Sequence, residues 1–107
     1  TAADRINVLR ARAASTAHKA DWQTYMLVTS AMINLDFIMD ERAREMAGEM
    51  NRWQDLVRPG PDYFVARVQR GNFEAAPNVR TFHALRPIPQ QQIQGVTGTP
   101  YPQNPGY

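Results

Sequence analysis

The chain has 107 residues, room for one small domain provided its apolar side chains gather into a core. Its 12 basic and 10 acidic side chains leave a net charge of only +2, which disfavours a phosphate-binding surface and hence nucleic acid. The lack of Cys excludes a disulfide framework, a thiolate zinc site and a cysteine nucleophile within these residues, and no apolar run is long enough to span a bilayer.

Eleven of the twelve bases are Arg, whose planar guanidinium suits carboxylates and backbone carbonyls, so structural roles are expected for them first. Large aliphatic residues are densest between positions 25 and 57. The last 21 residues, in contrast, hold five of the eight prolines and five of the eight glutamines. Such a tail has little with which to build a core and needs a surface to lie on.

In chain order, Ile6, Leu9 and Ala13 share one face of a short amphipathic helix over residues 2 to 14, with Asp4 as a candidate cap. Residues 15 to 33 fit neither a period of two nor one of 3.6 and read as a loop with a short extended or helical element. Trp22 and Tyr25 in this stretch are expected to pack rather than to stack on a sugar.

A long central helix follows. Asn34 caps it, and Leu35, Ile38, Met39, Met46, Met50, Trp53 and Val57 recur at helical spacing up to the stop at Pro59-Gly60-Pro61. Asp36, Asp40 and Glu41 near its start and Arg52 and Arg58 near its end oppose the helix dipole. Pairs at helical reach are Asp40 and Glu41 with Arg44, Arg42 with Glu45, Glu49 with Arg52, and Asp55 with Arg58. Glu45 and Glu49 read as members of this charged face rather than as an acid-base pair, and the three helix methionines as core.

Beyond the Pro-Gly-Pro break, Tyr63, Phe64 and Val68 predict a second helix from about Asp62 to Arg70, stopped by Gly71-Asn72, so that the two helices form a hairpin. Residues 72 to 86 read as irregular, with a turn at Pro77-Asn78, and 87 to 107 as extended or polyproline-like. Asn104-Pro105-Gly106-Tyr107 has the Pro and Gly placement of a type II turn.

His18 and His83 stand apart from other ligand-type residues, so no metal is expected, and a backbone hydrogen bond or burial is the expected role of His83. No glycine-rich phosphate loop and no serine nucleophile elbow occur. The expectation is therefore a non-enzymatic, mainly helical piece that uses no cofactor.

Two motifs go further: Glu41-Arg42-Ala43-Arg44-Glu45-Met46-Ala47-Gly48-Glu49, continued by Arg52-Trp53-Gln54-Asp55-Leu56-Val57-Arg58, and Arg86-Pro87-Ile88-Pro89 followed by Ile93 and the ending Gln103-Asn104-Pro105-Gly106-Tyr107. Together with Ile6-Asn7 and Arg10-Ala11-Arg12-Ala13, they resemble the C-terminal region of the SusD/RagB family of outer-membrane nutrient-binding lipoproteins. Departures from the family pattern are Met50 where Gly is common, Gln54 where an aromatic is common after Trp53, Arg86 where an aromatic often precedes Pro-Ile-Pro, and Gln92 where Glu often precedes Ile93.

The resemblance implies a lipid-anchored, cell-surface protein, several times longer than this chain, built of tetratricopeptide-like helix pairs. It implies residues 1–86 as the helical C-terminal part and 87–107 as a Pro-rich tail packed on the helices, with the lipid anchor upstream. The implied partners are a TonB-dependent transporter of the SusC type and a glycan or other nutrient. It assigns no ligand-binding residue here. A helical adaptor docking a protein partner is the alternative.

Overall fold

The computed structural model describes residues 1–107 as a mainly helical chain with six α-helices and no strand. The helices are α1 (Ala2–Ala13), α2 (Trp22–Met26), α3 (Leu35–Glu45), α4 (Arg52–Val57), α5 (Pro61–Gly71) and α6 (Gln90–Gly95), with single 3-10 turns at Thr16–His18, Ser30–Met32 and Thr81–Ala84. No helix is long and apolar enough to cross a membrane. The chain forms two compact units, Thr1–Gly48 and Glu49–Tyr107.

In the first unit, Thr1 rather than Asp4 is the N-cap of α1. Asp4 is the third residue of a capping box: its backbone N–H donates to Thr1 Oγ1 at 3.3 Å, and its carboxylate accepts from the Thr1 hydroxyl at 2.7 Å. At the other end, Lys19 Nζ donates to the carbonyls of Ala11 (2.6 Å) and Arg12 (2.9 Å), two of the acceptors that a helix C-terminus leaves open. The region of residues 15–33 contains α2 and two 3-10 turns joined by extended residues, as its lack of a single period implies. Trp22 is half-buried, but Tyr25 is 65% exposed, with its ring T-shaped to that of His18 at 4.9 Å, so the expected packing of this pair holds for the Trp alone.

Val28 is the best buried side chain of the unit, at 2% exposure. Asn7 holds it in place: the Asn7 amide donates to the Val28 carbonyl and accepts from the Val28 N–H, both at 2.9 Å. One side-chain amide thus satisfies a buried extended residue that has no neighbouring strand.

The long central helix does not form. Asn34 caps α3 as predicted, accepting from the Phe37 N–H at 2.8 Å, but the helix ends at Glu45 and restarts only at Arg52. Gly48 (φ +86) and Met50 (φ +59) take left-handed backbone conformations that a continuous right-handed helix cannot contain. Met39 is buried and Met46 half-buried, whereas Met50 is 91% exposed and lies outside any core.

The second unit is organised by the α4–α5 hairpin. Gly60, at φ +126, makes the corner, and Pro61 opens α5, where its missing N–H leaves no intrahelical bond unmade. Leu56, Phe64, Val79 and Ala84 form the core, with Trp53, Val57, Tyr63, Val65 and Val68 packed around it. Burying a ring as completely as Phe64 contributes about 1.5–3 kcal/mol. Trp53 meets Phe64 edge to face at 4.8 Å, which places its ring against the neighbouring helix.

Past α5, the Asn72 side chain accepts from the N–H groups of Glu74 (3.1 Å) and Ala75 (3.0 Å) and turns the chain. His83 Nδ1 accepts from the Arg80 N–H at 2.9 Å, the backbone role expected for it. The tail is not extended throughout. Pro89 precedes α6, and its carbonyl receives the N–H groups of Gln92 (2.9 Å) and Ile93 (3.2 Å), so the glutamine run folds into one and a half turns between the Pro pair and Gly98.

Candidate functional site

Polar and charged side chains of the matched motifs gather in two places, one in each unit. In the first unit a recess of about 470 Å³ lies between α1 and α3. Ile6, Leu9 and Ala13 from α1, with Ile38 and Met46 from α3 and the residue after it, supply its apolar lining, and Met26 closes one side. Helical spacing on α1 and α3 sets these side chains in register.

Arg10 fixes the two helices to one another. Its Nη2 and Nε donate to Glu41 Oε1 (2.5 Å) and Oε2 (3.1 Å), its Nη1 donates to the Met26 carbonyl (2.8 Å), and its guanidinium lies 5.5 Å from the Phe37 ring centre. Glu41 also accepts from Arg44, and Glu45 pairs with Arg12. The Arg10 hydrogen bonds hold the Glu41 carboxyl below the ordinary Glu value of 4.5 against the opposing effect of burial, with Arg44 adding to the lowering.

Helical spacing found only part of this network. The pairing of Glu41 with Arg44 is present, Glu45 takes Arg12 from another helix, and Arg42 lines the recess. Glu49 lies exposed in the break between α3 and α4, so the helical register that would have paired it with Arg52 is absent. Asp55 is buried at 6% exposure while Arg58 is exposed, so that pair is not a surface couple either. The signal missed was in α1, where Arg10 and Arg12 face acids more than thirty residues away.

In the second unit the two ends of the tail motif meet. The Gln103 amide donates to the Ile88 carbonyl (2.8 Å) and accepts from the Ile88 N–H (2.6 Å); Asn104 Nδ2 donates to the Arg86 carbonyl (2.7 Å), and the Tyr107 hydroxyl to the Leu85 carbonyl (2.8 Å). Pro87 and Pro89 flank Ile88, so their fixed φ keeps this stretch extended and its carbonyls open to the tail. Asn104-Pro105-Gly106-Tyr107 forms the predicted turn, with the Tyr107 N–H 3.3 Å from the Asn104 carbonyl and Gly106 at φ +97.

Gly106 lies so close to the Phe82 ring that a Cβ there would fall 2.4 Å from a ring carbon. The Tyr107 ring meets Phe82 edge-on at 5.2 Å. Arg86, where the family often has an aromatic, sets its guanidinium 4.9 Å from the Trp53 ring centre, so a cation–π contact occupies the place of ring packing.

Chemically, the first-unit recess suits binding. It can cover an apolar surface, and its charged lining is engaged within the unit: Glu41 pairs with Arg10 and Arg44, and Glu45 with Arg12. Helices paired at short turns, an apolar recess between two of them, and a tail folded back onto Leu85–Ile88 make a mainly helical scaffold. The family model described as the SusD family matches residues 1–107, the whole chain, and the protein belongs to that family of nutrient-binding proteins. Searches of characterised proteins and of solved structures found no similar chain.

Proposed function

We propose that this chain is part of a cell-surface lipoprotein of the outer membrane that binds a glycan or other nutrient and hands it to a TonB-dependent transporter of the SusC type. The observation that carries this reading is the family match, which runs through both units without interruption. Residues 1–86 contribute helical scaffold and 87–107 a terminal tail; the protein acts by binding, without catalysis and without a cofactor. The ion pairs between α1 and α3 keep these two helices in fixed register, which a receptor needs if its binding surface is to be preformed.

The test uses the full-length protein expressed with a TonB-dependent transporter of the SusC type from the same cell. Co-purification of the two from detergent-solubilised membranes, and saturable binding of an oligosaccharide or peptide by the purified protein, are the expected results. Neither association nor binding of any member of a broad oligosaccharide and peptide panel would refute the proposal. Turnover of a bound glycan with saturable kinetics would refute its non-catalytic part.

A further inference from the structure

We propose that Gln103–Tyr107 is a detachable strap, which opens as one piece from its seat on Leu85–Ile88 while the core around Phe64 stays folded. Every direct polar contact between the strap and that seat runs from a strap side chain to a main-chain group: Gln103 to both groups of Ile88, Asn104 to the Arg86 carbonyl, Tyr107 to the Leu85 carbonyl. The Tyr107 ring meets the rings of Phe82 and His83, and Gly106 lies against Phe82. None of the strap residues is buried, and none belongs to the core formed by Leu56, Phe64, Val79 and Ala84.

The segment that precedes the strap points the same way. Residues 96–102 are exposed throughout and include Gly98 at φ +96, so they hold no core contact that release would break. Opening therefore breaks four hydrogen bonds and one ring cluster without exposing a core side chain, whereas unfolding of α5 exposes Phe64, which is 2% accessible. The open state presents an extended, Pro-flanked segment with free main-chain groups beside the Phe82 and His83 rings.

Site-resolved hydrogen exchange of the full-length protein tests this. The Ile88 N–H, which donates to Gln103, reports the strap, and the Phe64 N–H, which donates to the Gly60 carbonyl, reports the core. Ile88 is expected to exchange at least ~tenfold faster than Phe64 after correction for intrinsic rates, because sub-global openings lie below the global one.

Tyr107→Phe removes only the hydroxyl bond to Leu85, yet if the strap opens as a unit it accelerates Ile88 exchange roughly threefold to tenfold, the value of one hydrogen bond. Gly106→Ala, which drives a methyl into Phe82, accelerates it further. Phe64 exchange stays unchanged in both. An Ile88 rate unmoved by Tyr107→Phe and Gly106→Ala overturns the proposal, since the contacts would then open independently. Ile88 and Phe64 accelerating together also overturns it, since the tail would then be part of the core.

Discussion

Replacing Arg10 by Met keeps an unbranched apolar stem along α1 and removes the guanidinium. Lost are the bidentate pair with Glu41, the bond to the Met26 carbonyl and the contact over Phe37. Both partners of the ion pair are shielded, at 19% and 17% side-chain exposure, so screening by solvent takes away only part of its worth. Counting the charged pair once, at about 1.5–2 kcal/mol, with about 1 for the carbonyl bond and about 0.5 for the ring, gives a loss of about 3 kcal/mol.

The loss is not larger because Glu41 keeps Arg44 and is not left as an uncompensated charge. Urea unfolding of the full-length protein measures it, as a lowered midpoint at unchanged slope for the transition that includes the first unit. A cycle with Glu41→Gln isolates the pair, with an expected coupling of about 1–2 kcal/mol. Arg10→Lys recovers little, because an ammonium cannot span both carboxylate oxygens and the Met26 carbonyl. A loss below about 0.5 kcal/mol, or a coupling of zero, would show that α1 and α3 are held by apolar packing alone.

The lowered Glu41 value sets a pH dependence. Its folded-state pKa lies below the unfolded one, so its contribution is complete above the ordinary value of 4.5 and disappears as the pH falls from there through the depressed value. Acid titration of stability should show a drop in that window which Glu41→Gln makes smaller. Met50→Gly should raise stability by about 0.5–1 kcal/mol, since a left-handed residue loses its Cβ clash while a 91% exposed side chain gives up no packing; a thermal melt detects it as a higher midpoint. Asn7→Ala leaves the N–H and carbonyl of Val28 without their amide partner and should destabilise by about 2–4 kcal/mol, with Asn7→Asp, which keeps the acceptor alone, in between. Equal stability of the Asn7 variants and the parent in denaturant would show that water replaces the amide.

Elements specified by neighbouring residues were legible in the sequence. The α1 stripe, the Asn34 cap, the Pro-Gly-Pro corner and the Asn104–Tyr107 turn each depend on a few consecutive side chains or on the φ preferences of Pro and Gly, and each occurs. The central helix shows where periodicity misleads. Apolar spacing from Leu35 to Val57 carries across a break that two left-handed residues create, and spacing says nothing about φ. The clue was Met50 standing where related proteins commonly have Gly: the backbone there adopts a Gly conformation although the residue is Met. The helix in the tail was hidden in a similar way, because prolines on both sides of the glutamine run suggest an extended chain while Pro89 serves to start α6.

By itself the sequence determined the helical class, the hairpin, the closing turn and the family, because these depend on local stereochemistry and on residue order. Tertiary structure alone decided which charges meet. Glu45 pairs with Arg12, and Glu41 gains Arg10, because packing α1 beside α3 brings together groups that no local spacing relates. Tertiary structure also decided how the two extended stretches satisfy their backbones. Val28 and Ile88 have no strand beside them, and a single amide, Asn7 for one and Gln103 for the other, supplies the donor and acceptor that a strand would have provided.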